Sequence, residues 1–121
     1  MKLQIQQQTL RFRIDEAELA GLLDGGTIEN ATRLGADTIF RQSIALADAG
    51  RALFDCQPSH WRLQLPRAQV IEHARRLPCR EGLVFAWPDA AGDGAQAGML
   101  QLVFEVDVRD STRKRIRGTA T

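Results

Sequence analysis

A segment near the amino terminus repeats its apolar pattern 51 residues further along the chain. Residues 3–23 (LQIQQQTLRFRIDEAELAGLL) align without gaps with residues 54–74 (FDCQPSHWRLQLPRAQVIEHA). Only three of the 21 aligned pairs are identical, so the likeness consists of apolar residues that recur at corresponding positions. Such a recurrence indicates one supersecondary unit used twice. It predicts an architecture and leaves the chemistry open.

Each copy has the pattern of a strand, a turn, a second strand and a helix. In the first copy, apolar and polar residues alternate through residues 2–6 and 10–14, on either side of a glutamine pair. Alternation with a period of two is typical of a hairpin that has one solvated face. Asp15 followed by Glu18 is a capping-box arrangement that marks the start of a helix. Further strands are predicted, in chain order, at 27–34, 38–47, 52–57, 61–65, 83–87 and 100–108.

The order ββαββ therefore occurs twice, in halves of about 1–50 and 51–108. We expect a single α+β domain over residues 1–108: an antiparallel, barrel-like sheet of about eight strands with two helices and pseudo-twofold symmetry. Closure of the sheet would remove exposed strand edges. A single mixed sheet with both helices on one face is the alternative.

Two segments lack any periodicity. Residues 88–98 are small and polar, and we expect a mobile loop there. Residues 109–121 carry a net charge of +4, whereas the preceding 108 residues carry −3. This basic segment is predicted to be a disordered tail.

The sequence favours a cytoplasmic protein. It has no apolar stretch of the roughly 20 residues that a membrane helix needs, and its first twelve residues lack the apolar run of a signal peptide. Two cysteines are too few for a disulfide framework. We expect no membrane association.

A zinc site is the most obvious metal hypothesis, because two cysteines and two histidines form a suitable tetrahedral donor set. These residues are Cys56, His60, His73 and Cys79. The repeat argues against the site, since Cys56 aligns with Ile5 and His73 with Leu22, which are core-facing positions in the hairpin and helix pattern. Free cysteine is itself commonly buried as a small hydrophobe. We therefore predict no metal and no cofactor.

Arginines on the polar faces of equivalent strands form the second constellation. Arg11 and Arg13 lie in the first copy, and Arg62 aligns with Arg11 in the second. The tail adds a basic cluster, namely Arg113, Lys114, Arg115 and Arg117. Together they suggest phosphate neutralisation on a nucleic acid. The acidic body and the inward positions of the aromatic residues argue against it.

His73 is ambiguous, because a histidine on an apolar helix stripe is either a core residue or the polar group of a ligand pocket. The chain has no Gly-x-Ser-x-Gly elbow and no glycine-rich phosphate loop. No nucleophile, base and acid are spaced as a catalytic set.

The opening of the chain also carries a resemblance. A lysine-led strand, the Arg11-Phe12-Arg13 strand, a helix bearing Glu18 and the step Gly26-x-Ile28-Glu29 resemble a family of short bacterial proteins. The resemblance covers about the first 30 residues, and Leu34-Gly35 departs from the expected Phe-Gly. That family is a domain of unknown function, so the resemblance implies a small cytosolic bacterial protein and no activity.

Three hypotheses about function follow. The first is a non-enzymatic binding or protein-interaction module, self-association included. The second is a nucleic-acid-associated protein that uses the strand arginines and the tail. The third is a small-ligand or enzymatic domain with a cleft beside His73.

Overall fold

The computed structural model describes residues 1–79, 81–87 and 100–108. Within these ranges the chain forms two helices and eight strands in the order ββαββ, ββαββ, as the sequence predicts. The elements are β1 (Lys2–Gln6), β2 (Thr9–Asp15), α1 (Glu16–Leu23), β3 (Ile28–Arg33), β4 (Ile39–Ala47), β5 (Leu53–Cys56), β6 (His60–Pro66), α2 (Arg67–Arg75), β7 (Leu83–Trp87) and β8 (Leu100–Asp107). The α+β class is confirmed.

The strands form two four-stranded sheets and do not close into a barrel, so the expectation of one barrel-like sheet is wrong. Sheet A has the order β1-β2-β8-β7, and sheet B has the order β3-β4-β6-β5. Both sheets are mixed, because β2 pairs with β8 in parallel and β4 pairs with β6 in parallel. The prediction of a purely antiparallel sheet failed because hairpin patterns identify local antiparallel pairs, whereas these central pairs join strands from distant parts of the chain.

The offset of 51 recurs in the element boundaries. Strand β2 begins at Thr9 and β6 at His60, and α1 begins at Glu16 and α2 at Arg67. Each sheet also consists of two antiparallel hairpins joined by a central parallel pair. A two-fold relation between the halves in space stays a prediction.

Sheet A belongs to a compact unit formed by residues 2–16 and the described residues between 78 and 108. Its two central strands bury one face, because apolar side chains occupy alternate positions of each strand. The buried residues on this face are Leu10, Phe12, Ile14, Leu102, Phe104 and Val106. The opposite face of β2 carries polar side chains.

Sheet B and both helices belong to a second compact unit, residues 17–77 with Met1. Helix α2 packs on β4 and β6 and buries Val70 and His73. An aromatic cluster lies on the same sheet, where Trp61 makes edge-to-face contacts with Phe40 and Phe54 at centroid distances of 4.9 and 5.8 Å. The units do not coincide with the halves of the sequence, since each contains strands from both halves.

The predicted loop at 88–98 and the predicted tail at 109–121 lie outside the described residues. Among the helices that are described, neither is long and apolar enough to cross a membrane.

Candidate functional site

The polar face of sheet A brings basic residues together from neighbouring strands. In the antiparallel register of β1 and β2, Lys2 lies opposite Arg13 and Gln4 lies opposite Arg11. Residues directly opposite each other in such a pair point to the same face. Because Phe12, between the two arginines, is buried, both arginine side chains project from the solvated side.

Glu105 on the neighbouring strand holds both arginines. Arg11 Nη1 donates to Glu105 Oε1 at 2.7 Å, and Arg13 donates to Oε2 from Nε at 3.2 Å and from Nη2 at 3.0 Å. The carboxylate is largely covered, with 15% of its side chain exposed, whereas the two arginine side chains are 42% and 43% exposed. One carboxylate thus fixes two guanidinium groups side by side, and each keeps N–H groups that do not bind Glu105.

A shallow concavity of about 420 Å³ lies over these side chains. Its lining residues are Lys2, Leu3, Gln4, Arg11 and Arg13. We call it the cationic groove. Two of its three cations, Arg11 and Arg13, share the Glu105 carboxylate. Within the part of the chain that the structure describes, Lys2 forms no ion pair. Arginine and lysine donors in this arrangement suit carboxylate or phosphate oxygens, since a guanidinium can bind such a group through two parallel hydrogen bonds.

The polar face changes sign along the strands. Asp15 lies opposite Asp107 in the parallel pair, two residues beyond the register position of Arg13 and Glu105. Both aspartates are on the same face as the arginines, because side chains two residues apart point the same way. The cations of the groove therefore lie towards the Lys2 end of this face, and the two aspartates lie at its other end.

The equivalent face of sheet B carries a different set. Arg62 lies opposite Asp55 on β5 and beside Ser43 on β4. Ser43 Oγ is 3.1 Å from His60 Nε2. A serine and a histidine without an orienting acid on His60 do not make a nucleophilic triad, and within the described chain no acid contacts His60. Among the described residues, this face therefore shows no serine–histidine–acid triad.

Comparison with protein families, with curated proteins and with solved structures found no match in any of the three. The resemblance of the first 30 residues to a family of unknown function stays a prediction. Function has to be argued from the geometry of the molecule.

His73 is a core residue of the second unit, with 7% of its surface exposed. Burial lowers the pKa of its imidazole below the usual 6.5, and the nearby Arg76 guanidinium lowers it further. A buried, neutral ring is the arrangement expected when a histidine takes the place of an aliphatic residue. We therefore do not place the candidate site there.

The cysteines differ from the sequence interpretation. Cys56 was expected in the core because it aligns with Ile5. In the structure, however, the side chains of Cys56 and Ile5 are both exposed, and so is that of Cys79. Cys56 and Ile5 do occupy equivalent positions, as their alignment predicts. Both positions are on edge strands, however, where an apolar residue is only half covered. No group of three or more metal-ligating side chains occurs within residues 1–79, 81–87 and 100–108.

Of the predicted binding residues, Arg11 and Arg13 meet in one site, whereas Arg62 belongs to the other sheet. The tail residues Arg113, Lys114, Arg115 and Arg117 lie outside the described part of the chain. Sequence reasoning missed Lys2 and Glu105. Lys2 is the hairpin neighbour of Arg13, so hairpin register alone could have found it, but Glu105 required knowledge of a parallel pairing across 92 residues.

Proposed function

We propose that this chain is a non-enzymatic protein-interaction module that binds an acidic segment of a partner protein in the cationic groove. The observation that carries the proposal is the clamp formed by Glu105 on Arg11 and Arg13. Because the two guanidinium groups are already fixed side by side, a ligand carboxylate meets ordered donors and the cost of ordering the side chains is reduced.

The charge and shape of the groove support an anionic ligand of limited size. Lys2, Arg11 and Arg13 provide three cations within one concavity of about 420 Å³. A second concavity of about 410 Å³, on the other unit, has Arg67 as its one cation, and Arg67 Nε donates to Asp48 Oδ1 at 2.9 Å. The first concavity is the better site for an anion, because its cations outnumber the carboxylate that neutralises them.

A protein ligand is favoured over a nucleic acid because the groove face of sheet A, as far as the structure describes it, has no aromatic side chain on which a base could stack. Single-stranded nucleic acids are usually held by aromatic rings as well as by phosphate contacts. On the described part of sheet A, Phe12 and Phe104 are buried on the face opposite the groove, and the polar face presents no aromatic side chain.

The test measures the fluorescence anisotropy of a labelled oligoglutamate peptide titrated with the full chain at low ionic strength. We expect Arg11→Gln and Arg13→Gln each to weaken binding about 5- to 10-fold, which is the loss of roughly one charge-assisted hydrogen bond. Arg62→Gln is the matched control, because Arg62 aligns with Arg11 and lies on an equivalent strand of the other sheet. Equal effects of Arg11→Gln and Arg62→Gln would overturn the assignment of the groove.

A labelled oligothymidylate of the same length provides the competing ligand. We expect it to bind more weakly than the peptide and to be insensitive to Arg11→Gln. Tighter, Arg11-dependent binding of the oligonucleotide would replace the proposed protein partner with a nucleic acid. A chain that lacks residues 109–121 then distinguishes the contribution of the groove to binding from that of the tail. If this chain binds either ligand with unchanged affinity, the tail has no role in binding that ligand.

A further inference from the structure

Strand β1 is an edge strand that borders the cationic groove. Among the described strands it pairs with β2 alone, through the register from Lys2 and Arg13 to Gln6 and Thr9. Four of its five side chains are exposed, and Ile5 is 57% exposed. An edge strand presents unpaired backbone N–H and C=O groups to any extended chain that comes alongside.

The turn between β1 and β2 determines which of those groups face outwards. Two residues, Gln7 and Gln8, separate the last paired residues Gln6 and Thr9. In a two-residue hairpin, the two residues that flank the turn form a hydrogen-bonded pair, in which each N–H donates to the other residue's C=O. Along the ladder, hydrogen-bonded pairs alternate with pairs whose N–H and C=O groups face away from the partner strand. Leu3 and Ile5 consequently direct their N–H and C=O groups away from β2.

We propose that the acidic segment binds as an additional strand alongside β1 and places its acidic side chains on the face of the cationic groove. This inference rests on the function proposed above and adds the mode of binding. Backbone hydrogen bonds to Leu3 and Ile5 would supply affinity, and alternate side chains would supply specificity, as in other cases of strand addition.

The geometry predicts a sequence pattern for the ligand. Residues of the added strand that lie opposite Lys2 and Gln4 point into the groove, since opposite residues share a face. Residues opposite Leu3 and Ile5 point to the other face, where both side chains are apolar. The preferred ligand is therefore an extended segment in which acidic and apolar residues alternate.

The equivalent edge of sheet B is less suited to this ligand. Strand β5 pairs with β6 alone among the described strands, but its polar face carries Asp55 opposite Arg62. A carboxylate on the edge strand itself repels an acidic segment, whereas the residues of β1 on the groove face are Lys2, Gln4 and Gln6. The β5 edge thus provides an internal control.

The first experiment compares two labelled peptides of identical composition. One alternates glutamate and valine, and the other has a block of glutamates followed by a block of valines. We expect the alternating peptide to bind at least about tenfold more tightly, since only it aligns its charges with the groove while its backbone pairs with β1. Equal affinities for the full chain would overturn strand addition.

The second experiment blocks the edge of the protein. Ile5→Pro removes an outward N–H group and leaves the hydrogen bonds to β2 in place, because Pro is tolerated where the N–H of an edge strand faces solvent. We expect a loss of about tenfold in affinity for the alternating peptide. Cys56→Pro is the matched control, because Cys56 is the aligned, exposed residue of β5, and it should leave the affinity within about twofold. Thermal unfolding confirms that each variant is folded.

A third measurement leaves the protein unchanged. The alternating peptide is N-methylated on one alternate set of amides or on the other, which removes backbone donors from one edge of the bound strand at a time. Strand addition requires that methylation of one set abolish binding and methylation of the other have little effect, and equal effects would contradict it.

The outcomes distinguish this mode of binding from the proposed function. If the alternating and block peptides bind equally while Arg11→Gln still weakens both, the groove binds acidic segments without strand addition. If Arg11→Gln has no effect on either peptide, the proposed function itself fails.

Discussion

Gly82 leaves no room for a side chain beside Glu105, the residue whose carboxylate holds Arg11 and Arg13. A Cβ placed at Gly82 would come within 2.9 Å of Glu105 Cγ, 3.0 Å of Val103 Cγ1 and 2.5 Å of the backbone oxygen of Phe104. Real Cβ atoms do not approach a carbonyl oxygen so closely, and backbone cannot move aside as a flexible side chain does. Glycine at this position therefore lets β7 and β8 come together beside Glu105, on the side away from the arginines.

Gly82→Ala should destabilise the protein and disturb the groove at the same time. We expect a loss of about 1–3 kcal/mol in the free energy of unfolding, which is the usual cost of overpacking, together with weaker oligoglutamate binding. Gly35→Ala is the control, because a Cβ at Gly35 meets nothing within 4 Å and its backbone does not have a positive φ. The measurements are urea unfolding and peptide anisotropy on both variants. Unchanged stability of the Gly82 variant would show that β7 and β8 are not as close as described.

Glu105 should be coupled more strongly to Arg13 than to Arg11. Arg13 makes two hydrogen bonds to Glu105 and Arg11 makes one, although that one is shorter. For ion pairs of this exposure we expect coupling energies of about 0.5–1 kcal/mol for Arg13 and less for Arg11, since solvent screens both. Double-mutant cycles with Glu105→Gln, Arg13→Gln and Arg11→Gln, read by urea unfolding, measure each coupling. A larger coupling for Arg11 would show that its short single bond outweighs the two bonds that Arg13 donates to one oxygen, Glu105 Oε2.

Local elements of this fold are accessible from the sequence, whereas the pairing of distant strands is not. The alternation of Arg11, Phe12 and Arg13 determines which side of β2 is buried, because the period of a strand is two. Nothing in that alternation identifies β8 as the parallel neighbour of β2. A hairpin register follows from a short turn, but a parallel pair joins residues such as Arg13 and Glu105, which are 92 positions apart in the sequence.

The candidate site likewise contains residues that the sequence predicts and residues that it does not. Arg11 and Arg13 were predicted as binding residues because a polar strand face must be solvated when the opposite face is apolar. Their partner Glu105 was not predicted, because it lies on a strand whose pairing with β2 the sequence does not indicate. The aligned residue Arg62 shows the limit of the repeat, since its sheet places Ser43 and Asp55 beside it instead of a valine and a glutamine.

His73 should make the protein less stable in mild acid. Its folded-state pKa lies below 6.5 because burial and Arg76 disfavour the imidazolium. Between the folded and unfolded pKa values of His73 the unfolded chain binds more protons. The contribution of His73 to the free energy of unfolding is therefore constant above about pH 6.5 and falls as the pH drops from there towards the folded-state pKa. Urea unfolding over a series of pH values measures the slope of the free energy of unfolding against pH.

His73→Leu, which installs the residue that the first half has at Leu22, should reduce the slope in that range. Val70→Ala serves as the control, because it removes buried apolar volume from the same helix without changing a titratable group. It should lower stability by a similar amount at every pH and leave the slope in place. A slope unchanged by His73→Leu would assign the acid sensitivity to other groups.

Gln7→Gly should stabilise the hairpin that carries Lys2 and Arg11. Gln7 has a φ of 51°, and it is the one non-glycine residue with positive φ in the described chain. A side chain costs about 1 kcal/mol in that region, and glycine avoids the cost while losing some entropy on folding, so we expect a net gain of about 0.5 kcal/mol. Gln8→Gly is the matched control, since Gln8 does not have a positive φ and glycine there should only destabilise. Thermal and urea unfolding of the two variants measure the difference, and a Gln7 variant that is no more stable than the Gln8 variant would contradict the left-handed turn.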